Sequence, residues 1–284
     1  MTRLTKEMIE EIEGDLEITE HRLRKAIGMD LRSLALRAVG LEADADVSKF
    51  SAAIVPVTSG LGVTPGFVSS VATILARLGM EAAVTNATDV AGMAEGIRMG
   101  SDMVFMADDN VFMAHPVGTW EVIDNAACTA LGFVQALEEA ADGLGGKEVV
   151  VIGLGRVGSF AVAELLARGA RPIGVDIDPV ALMRARERFG IPCSSDLKRV
   201  MPAADLVVHA CPAPVRGELV KEGAIISAPG VPCGFDAIGY GRAGLIMHDM
   251  LPTGVAVMAA QACRALMAAN VANYPMEWGL AVHE

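Results

Sequence analysis

The run Gly153-Leu154-Gly155-Arg156-Val157-Gly158 has the glycine spacing that brings a backbone turn against a pyrophosphate. Gly153 permits the tight turn after an apolar strand, Gly155 lets the main chain approach phosphate, and Gly158 lets the following helix pack on the sheet. The N-terminus of that helix then offers unpaired N–H groups to the anion. Asp176 closes the next apolar run, where a carboxylate accepts hydrogen bonds from ribose hydroxyls. It would repel a 2′-phosphate, and Ile177, Asp178 and Pro179 supply no arginine to offset it, so NAD is favoured over NADP.

A second set of polar residues follows the strand-like runs of the first half. Thr58-Ser59-Gly60-Leu61-Gly62 combines hydroxyls with glycines, and Asp108-Asp109-Asn110 places two carboxylates and an amide together. Each also reads as an ordinary turn, solvated in the second case. Asp124 and Asn125 stand at the start of a helix; capping is expected of Asp124, while Asn125 is left open. Capping is also expected at Thr88 and Asp89. Between Lys49 and Lys147 there is no lysine, and the arginines are Arg77 and Arg98, both expected on helices away from a cleft. A pocket with that charge holds an ammonium group better than a carboxylate, so a small cationic ligand is expected.

To position these groups the chain must alternate strand and helix. Two helices come first, at 5–27 and 30–39, the former amphipathic through Met8, Ile9, Ile12, Leu16, Ile18, Leu23 and Ile27. Strands are expected at 51–58, 81–85 and 103–107, with helices at 67–78 and 89–99 between them, and a hairpin of 111–114 with 119–123. A helix at 125–141 leads to the glycine-rich joint at 143–146. Further strands are expected at 148–152, 171–176, 206–210, 224–227 and 244–247, then a closing helix at 254–273. The loops after two of them, containing Cys211, Pro212 and Pro229, should shape the cofactor pocket. His248 could lie near the nicotinamide, although a structural hydrogen bond is the plainer role.

The expected fold is therefore α/β in two units. Residues 1–142 form a helical extension and a smaller substrate-binding α/β domain. Residues 143–284 form a Rossmann domain for NAD, with a closing helix able to return to the first unit. Slightly over half of the 284 residues are apolar, enough for a sizeable core. The net charge of −12 argues against nucleic acid or an anionic membrane as partner. Five scattered cysteines with no CxxC pair suit a reducing cytoplasm, and His21, His115, His209, His248 and His283 form no ligand spacing, so no metal is expected. The apolar closing helix and the amphipathic first helix could serve a homodimer. The first helix is alternatively a cover for the cleft.

Several segments together resemble the PylD family of pyrrolysine-biosynthesis dehydrogenases. They are Pro56-Val57-Thr58-Ser59-Gly60-Leu61-Gly62, Val84-Thr85-Asn86-Ala87-Thr88-Asp89-Val90, Phe105-Met106-Ala107-Asp108-Asp109-Asn110-Val111-Phe112 and the glycine turn. Ala130-Leu131-Gly132-Phe133 departs from the Arg-Gly-Tyr expected there. The resemblance implies an amino-acid-dehydrogenase-like α/β fold and oxidation of the terminal amine carbon of 3-methylornithinyl-lysine by NAD. It also implies that Ser59 and the Asp108-Asp109 pair hold the amino-acid-derived substrate, one of the aspartates contacting the reacting amine; Asn110 and Asn125 are further candidates for binding it. Another NAD-dependent amine or amino-acid dehydrogenase, of opine or dipicolinate-synthase type, shares the nucleotide site, as does a non-catalytic NAD-binding regulator.

Overall fold

The computed structural model describes residues 4–272, so His283 and the end expected for the last helix, Asn273, lie outside the described residues. Helix α1 (Lys6–Ile27) starts at Thr5, whose hydroxyl accepts from Met8 N, and stops at Gly28 in the left-handed conformation. It buries Ile9, Ile12, Leu16 and Leu23 along one stripe, while Ile18 is exposed. Helix α2 (Leu31–Ala38) is capped by Asp30, which accepts from Ser33 N at 2.9 Å.

The first α/β unit then runs β1 (Ser51–Val55), α3 (Phe67–Arg77), β2 (Glu81–Val84), α4 (Asp89–Arg98), β3 (Met103–Ala107), β4 (Phe112–Pro116) and β5 (Ile123–Asp124). Its sheet has the order β2-β1-β3-β4-β5, with β2, β1 and β3 parallel and β4 and β5 antiparallel. The expected hairpin between 111–114 and 119–123 is present only in part. The tighter hairpin joins β3 to β4 through Asp109-Asn110, and of the second run Ile123 alone enters the sheet, pairing with Ala114. The capping expected at Asp89 also fails. Its φ is +54° and its carboxylate turns away to the loop after β1, leaving α4 without a side-chain cap.

Helix α5 (Asn125–Ala140), capped by Asp124, connects this sheet to the second. There follow β6 (Glu148–Ile152), α6 (Arg156–Ala167), β7 (Arg171–Val175), α7 (Pro179–Phe189), β8 (Cys193–Ser194), α8 (Leu197–Val200), β9 (Leu206–His209), β10 (Ile225–Ser227), α9 (Ala237–Arg242), β11 (Leu245–Met247) and α10 (Pro252–Ala272). The sheet order β11-β10-β9-β6-β7-β8, parallel throughout, is the doubly wound arrangement whose direction reverses between β6 and β9. Strand β6 is buried from Val149 to Ile152, as the centre of a sheet covered on both faces must be.

Helix α10 crosses back to pack on α2, α3, α5 and β4. Val255 to Ala259, Ala262 and Cys263 have no exposed surface, so the apolar faces that suggested a dimer are taken up within the chain. Small residues allow this. A Cβ at Gly132 of α5 would lie 2.5 Å from the Thr253 methyl and 2.9 Å from a Val257 methyl, and one at Gly254 would meet Thr129 Oγ1 at 2.5 Å. Glycine inside a helix costs stability, so its presence in α5 reflects the close approach. Among the described residues no helix is long and apolar enough to cross a membrane. Gly132→Val should destabilise the protein by about 1–3 kcal/mol through overpacking. A denaturant midpoint that does not move would show that α5 and α10 do not meet there.

Candidate functional site

The sheet's reversal between β6 and β9 opens a crevice at the carboxyl ends of its strands. Gly153, at φ +87°, makes the turn there, and a Cβ on it would stand 2.6 Å from Cys211 Cβ. A Cβ on Gly158 would overlap the Gly153 carbonyl, so α6 can start beneath the turn only with glycine at this position. Gly155 caps α6 with no side-chain acceptor, which leaves the first-turn N–H groups of the helix to an outside anion. Asp176 ties the turn to β7, with Oδ2 accepting from Leu154 N at 2.7 Å and Oδ1 from Asp178 N at 2.9 Å. A dinucleotide therefore fits the residues present: a backbone cradle, an open helix terminus and a carboxylate at the end of the second strand.

Opposite lies the β3–β4 turn. Asp108 N–H donates to the Val111 carbonyl, and Asp108 Oδ1 accepts from Asn110 N and Val111 N, both at 2.7 Å. Asp108 thus folds the turn that carries it. Asp109 reaches the loop after β1, where its Oδ2 accepts from Leu61 N at 2.7 Å and occupies the space a Cβ at Gly60 would need. The same loop is held at its start by Asp89, which accepts from Thr58 N at 2.8 Å, Thr58 Oγ1 at 2.6 Å and Thr88 Oγ1 at 2.9 Å. These hydrogen bonds, those of Thr58 foremost, hold the Asp89 carboxyl below the usual range. Nothing in the sequence pattern distinguished this aspartate from a helix cap.

The two sets of loops enclose one cleft of about 470 Å³. Its apolar wall includes Phe67, Phe105 and Phe112, with the Phe67 and Phe112 rings edge to face at 5.3 Å. Leu4, just ahead of α1, also lines it. Asp108, Asp109, Asp124 and Asn125 contribute polar groups from the first unit. The Rossmann side brings Arg156, Val157, Cys211, Pro212 and Pro229. Asn125 donates to Met258 Sδ at 3.2 Å. Ser59 is exposed and Asn110 is exposed, and neither side chain lines the cleft; Asn110 instead lends its carbonyl to Arg156 Nη1 at 3.0 Å.

Arg156 also pairs with Asp124, a contact across the chain that the sequence did not disclose. Arg77 pairs with Glu20 at 2.7 Å, and neither Arg77 nor Arg98 reaches the cleft. Burial pushes the Cys211 thiol up, which suits a neutral packing role. His209 is fully buried, donates Nε2–H to the Ala213 carbonyl at 2.9 Å, and has its ring pushed below the usual histidine value by burial. His248 donates Nδ1–H to the Ala228 carbonyl at 2.7 Å and does not line the cleft. Among the described residues no group of three or more His, Cys, Asp or Glu side chains is placed to hold a metal ion.

A doubly wound parallel sheet, a smaller α/β sheet and a cleft between them define a dehydrogenase-like α/β protein. Shikimate dehydrogenase from Aquifex aeolicus has this fold, with a TM-score of 0.52 at 11% identity, over 77% of this chain and 98% of that one. The family described as pyrrolysine biosynthesis protein PylD, N-terminal domain, matches residues 8–123. Pyrrolysine synthase of Methanosarcina acetivorans is 30% identical over 243 residues, covering 82% of this chain and 88% of that one. The Methanosarcina barkeri protein of the same name is 28% identical, covering 82% of this chain and 87% of the other. The chain belongs to the PylD family.

Because the Asp89 carboxyl is lowered in the folded state, the stability it contributes is complete above its ordinary value of 3.8 and is lost as pH falls through the folded value. Asparagine tolerates positive φ, so Asp89→Asn removes the charge while sparing the backbone. The melting temperature of D89N should lie below that of the unmodified protein at neutral pH, and the gap should close on acidification below about pH 4. A gap independent of pH would mean that the charge is not what holds the loop.

Proposed function

We propose that the chain oxidises the terminal amine carbon of 3-methylornithinyl-lysine, with NAD as hydride acceptor, in the last step of pyrrolysine biosynthesis. The observation that carries this reading is the pair of carboxylates, Asp108 and Asp109, placed on the same cleft as the Gly153–Gly158 turn. The cationic substrate meets acid on one wall and the apolar Phe67, Phe105 and Phe112 on another. Among the described residues of the first unit no lysine or arginine lines the cleft, and Arg156 of the second is paired with Asp124, which disfavours an α-keto acid or other anionic substrate.

Bound NAD supplies a hydride acceptor. Asp108 is the better placed of the two acids to receive the reacting ammonium. Its Oδ1 is committed to the turn, whereas its Oδ2 makes no hydrogen bond among the described residues. Asp109 is engaged with Leu61 and sets the position of the 58–62 loop. Once the ammonium has given up a proton, hydride leaves the adjacent carbon and the amine becomes an iminium ion. The internal α-amine adds to that carbon and ammonia departs, closing the pyrroline ring. Asp176 holds the ribose hydroxyls and disfavours a 2′-phosphate, which makes NAD the cofactor rather than NADP.

The test is NADH formation with 3-methylornithinyl-lysine, with mass spectrometry of the product and with lysine, ornithine and NADP as controls. NADH accompanied by loss of ammonia and a pyrroline product is expected. Asp108→Asn should lower kcat about 10²–10⁴-fold, the range for a positioned proton-transfer group, and Asp109→Asn should act mainly on KM. Turnover unaffected in D108N would remove Asp108 from the reaction. Asp176→Ser should narrow the preference for NAD over NADP, and an unchanged ratio would deny the carboxylate its ribose role.

A further inference from the structure

Arg156 is the first residue of α6, directly after the glycine turn, and its guanidinium is already engaged. One arm pairs with Asp124 and the other donates to the Asn110 carbonyl at 3.0 Å. Asp124 divides its carboxylate in the same way. Oδ1 caps α5 through Ala127 N at 3.1 Å, and Oδ2 meets Arg156. The pair is open to solvent, with Arg156 49% and Asp124 28% exposed, and ion pairs of that kind contribute little to stability. Yet both residues line the cleft in which the acidic turn and the glycine turn meet.

We infer that Arg156 exchanges Asp124 for the pyrophosphate of the dinucleotide, and that Asp124, once released, becomes a third carboxylate for the cationic substrate. This rests on the proposed function. The exchange follows from relative strengths. A pyrophosphate carries more charge than one carboxylate, accepts a guanidinium bidentately, and sits at a helix terminus that favours it independently. The released Asp124 keeps its cap, because Oδ1 and not Oδ2 bonds to Ala127 N, so α5 loses nothing. Release of the Asn110 carbonyl frees the turn that carries Asp108 to adjust to its ligand. The consequence is an order of binding. Without cofactor, Arg156 neutralises part of the acidic cleft; with it, the full negative charge faces the ammonium groups.

A double-mutant cycle on NAD affinity, read by calorimetry without turnover, tests the exchange. Asparagine retains the capping acceptor, so Asp124→Asn removes charge and competitor while sparing α5. R156Q should bind NAD about tenfold more weakly, and D124N about 3–10-fold more tightly than the unmodified chain, because the guanidinium no longer has a rival. In the R156Q background D124N should have no effect. If Asp124 merely repelled the phosphates, D124N would tighten NAD equally or more without the arginine, and the inference would fall. R156K, which keeps the charge and loses the bidentate fork, should lie between the two and guards against misfolding of R156Q. In a second arm, saturating NAD should tighten 3-methylornithinyl-lysine severalfold in the unmodified chain and not in D124N. Absence of NAD binding by the unmodified chain would defeat the proposed function and this inference together, whereas NAD binding with an additive cycle would defeat the inference alone.

Discussion

The close approach of α5 and α10 is the constraint on which the rest of the molecule depends. Helix α5 belongs to both cores. Ala130, Val134 and Leu137 enter the core of the Rossmann sheet, while Cys128 and Ala136 face that of the first sheet with most of α10. A helix shared in this way acts as a rigid spine, because neither face can leave its sheet without exposing apolar surface. Gly132 and Gly254 make the shared packing possible by removing the side chains that would hold the helices apart. Residues at the strand C-termini of both sheets line one cleft.

On that frame, the polar groups of the cleft are arranged by hydrogen bonds to backbone N–H groups. Asp108 folds its own turn, Asp109 fixes the loop opposite, Asp89 anchors the other end of that loop, and Asp176 ties the glycine turn to its neighbouring strand. Each carboxylate does local work and also contributes negative potential. At Asp89 the bonds from Thr58 and Thr88 also hold the carboxyl below its usual range, so there the charge and the order of the loop come from the same contacts. Arg156 is the exception, a cation brought by the Rossmann side to the acidic side, where its half-exposed guanidinium pairs with Asp124.

Local pattern accounts for much of this. The glycine spacing with its flanking apolar runs was enough to place β6, α6 and β7, because turn, helix terminus and strand are all set within thirty or so residues of chain. Strand β3 and the start of α5 were legible for the same reason, and so was the capping role of Asp124. Asp89 stands where a helix start usually carries a cap, but its side chain is claimed by Thr58, distant in sequence, through bonds no local pattern records. The acidic run is a turn, as its composition allows, but it joins β3 to β4, whereas the expected hairpin partner of 111–114 was 119–123; which neighbouring strand pairs is not set by the turn residues alone.

The sequence alone carried the α/β alternation, the nucleotide turn, the acidic stretch without lysine between Lys49 and Lys147, and the resemblance to the PylD family. These are properties of neighbouring residues and of composition, and neither changes with the path the chain takes. Tertiary structure decided what meets what. It returned α10 to the first sheet, buried the faces that suggested a dimer, left Ser59 and Asn110 outside the cleft lining, and set Arg156 on Asp124. Those outcomes depend on long-range packing and on competition among several acceptors for one donor, which residue spacing along the chain does not encode.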